Sequence, residues 1–407
     1  CLFATLRLPW RTMAHVLCIH PWIYDFAAYN TWIEPLGLLT VAGMLRAAGH
    51  EVALIDCLDR HHPDAPAPST GRDAYGCGPF HKVEVKKPPA LAHVPRRWGR
   101  YGLSVEVFEA ELAEQPQPDA VLVTSMMTYW YPGPFEVIRR VRARWPGVPV
   151  ALGGVYATLC TNHAREHSGA DAVLPGPGEA AALQWVNQVT GESRALPVPS
   201  EEVLPAHDLR RPQGYVAVQT ARGCPYHCPY CAVHQLVPRG FHPRPPERVV
   251  DEIAWCVEAL GDRDGNVALD VAFYDDALLF DAGRHLLPIL DRVDPHKNTC
   301  QALVLVPTRE LARQGFDVLL TCYNRNLAEE LRAAAGNPPR LMTIQRPSRS
   351  RAARSGRPFL ILSFILISAA TNPVISAMAQ DWRTPGRGMF YAAVAGACSA
   401  SYWLGER

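Results

Sequence analysis

From residue 14 onward, short unbroken apolar runs alternate with longer stretches whose apolar positions return every three to four residues. The runs Val16–His20, Glu51–Asp56, Asp119–Ser125, Val148–Gly153 and Ala172–Pro175 have strand length, and a strand buried on both faces requires a run of this kind. The periodic stretches Pro35–Gly49, Val105–Glu114, Pro134–Trp145 and Gly178 to about Thr190 predict amphipathic helices, the first stopped by Gly49. Strand and helix in alternation predict parallel strand pairs joined by right-handed crossovers. Residues 14–195 are therefore expected to form a Rossmann-like, doubly wound α/β domain. Residues 61–100 interrupt the pattern. They are rich in Pro, Gly and His, show no period, and read as a long insertion or loop.

A linker rich in Pro and Glu, Pro197–Pro205, leads to a second alternating stretch. Strand Tyr215–Thr220, helix Glu247–Leu260, strand Val267–Tyr274 and helix Ala282–Val293 give two βα repeats within residues 205–297, the grammar of a partial (β/α) barrel. Beyond His296 the character changes. Arg340–Arg357 holds six Arg and no acid, and Pro358–Gln380 carries no charge across 23 residues.

Hydrophobic residues make up 48% and charged residues 19% of the 407, which excludes disorder or a coiled coil as a description of the whole chain. A formal net charge of +1 supplies no global field toward nucleic acid or an anionic membrane, and neither partner is expected. The 12 cysteines are too scattered for a disulfide scaffold and imply a reducing compartment, the cytoplasm. Residue 1 is Cys, whereas Met13 stands directly before the first strand, so residues 1–13 read as a non-native extension.

One cluster of cysteines carries chemistry: Cys224-x3-Cys228-x2-Cys231, just past a strand. Three thiolates this close can hold three corners of a [4Fe–4S] cluster and leave one iron open to a substrate. The alternative is zinc held by the trio with His227, His234 or His242, although zinc ribbons favour paired C-x2-C knuckles and only one pair is present.

This run, with aromatic Tyr230 before its last Cys, resembles the signature of the radical S-adenosylmethionine (SAM) enzymes. The resemblance extends to Val271–Leu279, where Asp275 and Asp276 match the second-strand motif that meets the SAM amino group. A solvated strand end or a helix cap is the plain reading of the same two carboxylates. The family resemblance implies a cluster whose open iron chelates SAM, an external electron donor such as a ferredoxin or flavodoxin, and a 5′-deoxyadenosyl radical acting on a substrate that the sequence does not name.

Residues 14–195 resemble the cobalamin-binding domain that precedes the barrel in one branch of that family. The resemblance rests on His15–Asp25, Pro35–Leu39, Ala48–Val52, Leu54–Asp56, Val123–Met127, Leu152–Tyr156 and Gly176–Glu179. It implies that Ser125, Gly153 and Gly154 line the pocket for the nucleotide tail of cobalamin. The D-x-H-x-x-G run that supplies a cobalt-ligating His in one group of cobalamin proteins is absent; Asp56–His61 does not match it.

Residues 298–407 do not match the family. Ala302–Gln314 resembles a DEAD-box helicase motif, but no G-x-x-x-x-G-K-[ST] loop accompanies it. Met342–Ala379 has the order of a secretory signal peptide: a basic stretch, an apolar core and an A-x-A site. The tail therefore reads as unassigned and chimeric. The expected function is a cobalamin-dependent radical SAM enzyme performing methyl transfer or a related modification, and the alternative is a truncated, inactive cofactor-binding fragment.

Overall fold

In the computed structural model, the structure describes residues 13–65, 77–229, 231–237, 240–260, 269–278, 280–286, 289, 305–306 and 363–364. Along the first part of the chain these form β1 (His15–His20), β2 (Ile23–Asp25), β3 (Tyr29–Asn30), α1 (Leu36–Ala47), β4 (Glu51–Asp56), β5 (Gly78–Pro79), β6 (Lys82–Glu84) and β7 (Gly99–Tyr101). Next come α2 (Val105–Glu114), β8 (Ala120–Val123), α3 (Pro132–Arg144), β9 (Val150–Gly153), α4 (Val155–Leu159), α5 (Thr161–His167), β10 (Ala172–Leu174) and α6 (Gly178–Thr190). Then follow β11 (Tyr215–Val218), β12 (Ala221–Arg222), α7 (Val233–Leu236), β13 (His242–Pro243), α8 (Pro246–Leu260), β14 (Asp270–Phe273) and α9 (Ala282–His285). A last parallel pair joins β15 (Leu305–Val306) to β16 (Ser363–Phe364).

The chain divides into two compact units. The first comprises Cys1–Val216, Cys228–Pro238 and Trp255–Leu269; the second comprises Ala217–His227, Arg239–Ala254 and Asp270–Arg407.

The unbroken apolar runs of the first unit are accounted for by a five-stranded sheet, β10-β9-β8-β1-β4, whose pairs are all parallel. All six residues of β1 are buried, and alternate side chains serve opposite faces. Leu17 and Ile19 pack with Phe108 and Leu112 of α2 and Val137, Ile138 and Val141 of α3. Val16 and Cys18 pack with Leu38, Val41 and Leu45 of α1 and Ala182, Trp185 and Val186 of α6. The helix ends follow local chemistry. Ser104 caps α2 by accepting the Val107 N–H (3.2 Å), Pro132 opens α3, and Gly191 closes α6 with φ 73°. Chain order reverses between β1 and β8, and a crevice outside the carboxyl ends of the strands at such a reversal is where doubly wound sheets bind ligands.

Two stretches hold more than the sequence pattern announces. Within 61–100, read as a long insertion or loop, residues 77–100 carry short strands. β6 and β7 join β2 in a three-stranded antiparallel sheet, and β5 pairs with β3. These strands are two or three residues long, too short to leave a period in the sequence. The end of the presumed linker is also packed rather than loose: the Ala206 N–H donates to the Leu39 carbonyl (2.9 Å), and a Cβ on Gly43 of α1 would lie 2.1 Å from the Leu204 carbonyl oxygen.

In the stretch expected to begin a barrel, β11 pairs with β14, β12 pairs antiparallel with β13, and α8 and α9 follow. The helicase-like and signal-peptide-like segments lie outside the described residues, apart from the two residues each of β15 and β16. No helix among the described residues is long and apolar enough to cross a membrane.

Candidate cofactor site

The carboxyl edge of the parallel sheet is built from small residues tied to one another. The Ser125 hydroxyl, just past β8, donates to the Gly153 carbonyl (2.6 Å) and accepts the Ala157 N–H of α4 (3.2 Å), while the Ser125 carbonyl accepts the Val155 N–H (2.7 Å). Gly154 adopts φ 93°, and a Cβ there would lie 2.2 Å from the Ser125 carbonyl oxygen, so only glycine allows this approach. Thr158 extends the ties to the next loop by accepting the Gly176 N–H (2.9 Å). At Gly176 a Cβ would meet open space, and at Gly153 it would find only the Leu174 carbonyl oxygen, at 3.8 Å. The edge is thus a backbone-lined shelf without bulky side chains at its glycines, a surface suited to the nucleotide tail of a large cofactor. Ser125, Gly153 and Gly154 are brought together at this edge. Ser125 is buried, however, and its hydroxyl is engaged in holding two loops.

A polar network missed in the sequence lies along the same edge. At the end of β1, His20 Nδ1 donates to Asp56 Oδ1 at the end of β4 (2.7 Å), and His20 Nε2 faces the Met126 sulfur (3.4 Å). Arg210 Nε donates to Asp56 Oδ2 (2.9 Å), and Arg210 also pairs with Glu34 (3.3 Å), which bonds His207 Nδ1 (2.7 Å). Burial alone would raise the Asp56 carboxyl, but the His20 and Arg210 charges outweigh it and hold the group well below the usual carboxylate range. These residues are spread from position 20 to 210, so no spacing motif could have revealed them.

The cysteine loop starts from β12, where Gly223 takes φ 79° immediately before Cys224. Cys224, Cys228 and Cys231 are half-buried thiols, and the Cys231 N–H donates to the Cys228 carbonyl (3.0 Å), turning the C-x2-C end of the loop. Tyr230 lies outside the described residues. Among the described residues, no three or more His, Cys, Asp or Glu side chains converge into a metal-ligating group. The chemistry of the donors nevertheless fits iron: three soft sulfur ligands on one short loop, each within reach of solvent. After the third cysteine the chain enters α7, which packs against α4, the helix that begins just after Gly154.

Asp275 is almost completely buried just past β14. Its Oδ1 accepts the Thr220 N–H (2.9 Å), the Thr220 hydroxyl (3.0 Å) and the Ala221 N–H (2.5 Å), and Oδ2 also accepts the Thr220 N–H (3.2 Å). Burial pushes its carboxyl up to about 7, against the pull of those hydrogen bonds. Asp276 beside it is half-buried.

Residues 101–185, which carry β8, β9, β10 and the glycine shelf, match the B12-binding domain family. Among curated proteins, the chain is 23% identical over 266 residues to a hopanoid C-3 methylase of Methylococcus capsulatus (58% of this chain, 43% of that protein). It is 24% identical over 253 residues to an anaerobic magnesium-protoporphyrin IX monomethyl ester cyclase of Synechocystis (55% and 42%). The chain thus spans less than half the length of these relatives. Among solved structures, it is similar to the radical SAM methyltransferase TsrM from Kitasatospora setae with tryptophan and a SAM analogue bound (TM-score 0.46, 17% identity, 76% of this chain and 58% of that one). It is also similar to the cobalamin-dependent SAM radical enzyme OxsB (TM-score 0.46, 12% identity, 76% and 42%).

Proposed function

We propose that the chain is the cofactor-binding part of a cobalamin-dependent radical SAM enzyme that transfers a methyl group, or makes a related modification, on a substrate of unassigned class. The observation that carries this reading is positional. A B12-binding domain is followed in the chain by the Cys224-x3-Cys228-x2-Cys231 loop, and α7, which leaves that loop, packs against α4, which leaves the glycine shelf. Two cofactors that cooperate in one reaction need this proximity.

In this reading Cys224, Cys228 and Cys231 hold three irons as thiolates. Tyr230 and Asp276 help seat SAM; a carboxylate suits its methionine ammonium. Ser125, Gly153 and Gly154 keep the shelf open for the nucleotide tail of cobalamin. When bound, the cluster supplies the electron that cleaves SAM, and cobalamin carries the methyl group. An external ferredoxin or flavodoxin would reduce the cluster. Residues 14–195 and 205–297 are proposed as the two functional domains.

Anaerobic reconstitution with iron and sulfide, followed by hydroxocobalamin, SAM and a strong reductant, tests the proposal. Broad visible absorption that is lost in Cys228→Ala, together with SAM cleavage, is the expected result. Stoichiometric zinc without iron would overturn the reading of the loop. A cluster that forms but leaves SAM intact would favour a cofactor-binding fragment.

A further inference from the structure

The root of the cysteine loop is gripped by side chains that the proposed chemistry does not use. Shortly before Gly223 the chain passes from β11 to β12 between Val218 and Ala221, and this junction receives bonds from two sides within the second unit. From one side, the buried Asp275 carboxylate collects the Thr220 N–H and hydroxyl and the Ala221 N–H. From the other, the Arg244 N–H donates to the Thr220 carbonyl (2.8 Å) and its guanidinium to the Gln219 carbonyl (2.8 Å). Arg244 is itself fixed by Glu252 of α8, a side chain with no exposed surface (2.6 Å). The segment after Asp275 also reaches the middle of the loop, where Phe280 meets Tyr226 edge-on with ring centroids 5.9 Å apart.

We infer that Asp275 is a positioning residue for the cysteine loop, acting through Thr220 and Ala221, and that it is not a ligand of SAM. An acidic side chain meant for an ammonium group must present a free oxygen to it. Oδ1 is taken up by three donors, Oδ2 shares the Thr220 N–H (3.2 Å), and the carboxylate is buried by protein. Oδ1 alone accepts three donors and so fixes the backbone three residues before Cys224. A cluster loop with three ligands and one open iron depends on this rigidity, because no fourth thiolate restrains it. The consequence for the cluster rests on the reading of the cysteine loop given above; the anchor itself does not.

Two measurements on the full chain separate these claims. The first is amide hydrogen exchange across 217–223 before any metal is added. Asp275→Ala should speed exchange of Thr220 and Ala221 by about tenfold or more. Thr220→Val, which removes one donor, should move the same amides by less. Asp275→Asn keeps an acceptor where Oδ1 stands and should restore most of the protection. The second is retention of iron against a chelator after reconstitution, with the electron paramagnetic resonance of the reduced cluster recorded with and without SAM. Asp275→Ala should lose iron several-fold faster than wild type. Asp275→Asn should keep both the iron and the SAM-induced spectral change, and Asp276→Asn should lose the spectral change alone.

Unchanged exchange in Asp275→Ala would overturn the anchor. An Asp275→Asn variant that holds its cluster but no longer responds to SAM would also overturn it, by showing that the negative charge is what matters. Zinc alone in the wild type would refute the cluster reading, and the exchange measurement would still decide the anchor.

Discussion

At the scale of single residues, the first unit depends on a few buried polar side chains whose loss should cost far more than their number suggests. Arg210 neutralises both Asp56 and Glu34, and all three side chains are nearly inaccessible to solvent. Removing one member of a buried ion pair leaves a charge without a partner. Arg210→Ala is therefore expected to destabilise the protein by about 3–5 kcal/mol, read from the shift in urea midpoint. The pH dependence follows from Asp56. Its folded-state carboxyl is held below the ordinary carboxylate value, so its contribution is complete above that value and is lost as pH falls through and below it. Wild-type stability should thus drop below about pH 4, and the drop should be shallower in Arg210→Ala. Gly154 presents a different constraint. Alanine there would meet the Ser125 backbone and adopt an unfavourable positive φ, so Gly154→Ala should weaken cobalamin binding at least tenfold in a spectroscopic titration.

At the scale of elements, the packing of α1 explains a glycine that propensity would disfavour. Gly43 lies in the middle of this helix, where alanine is intrinsically better by about 1 kcal/mol. The helix accepts this because the Leu204 backbone crosses directly over the position. Gly43→Ala should accordingly destabilise by about 1–3 kcal/mol, an overpacking cost larger than the propensity gain and of opposite sign, measurable by chemical denaturation. The short strands β2, β3, β5, β6 and β7 make the complementary point. Each has two or three residues, fewer than a periodic signal needs, and each exists because another segment, distant in sequence, offers it a hydrogen-bonding edge.

At the scale of the whole molecule, the two proposed cofactor sites arise from separate stretches of chain, and their losses should be separable. Cys228→Ala is expected to abolish iron binding while retaining cobalamin. Gly154→Ala should weaken cobalamin binding while retaining iron, and the double variant should combine the two losses. Metal analysis and cobalamin titration of the three proteins check this. The chain itself announced much of this organisation. Burial on both faces leaves unbroken apolar runs, and one-sided packing leaves a helical period, so the five strands and four main helices of the parallel sheet were legible from residue order alone. The cysteine trio stood out as a candidate because its spacing is local, compressed into eight residues. The tertiary structure alone determined what depends on distance. It brought His20, Asp56, Arg210 and Glu34 into one buried network, pressed Leu204 against Gly43, and turned Asp275 toward Thr220 rather than toward open space. Periodicity records which face of an element avoids water, whereas a hydrogen bond across 55 or 154 residues leaves no trace in the order of the chain.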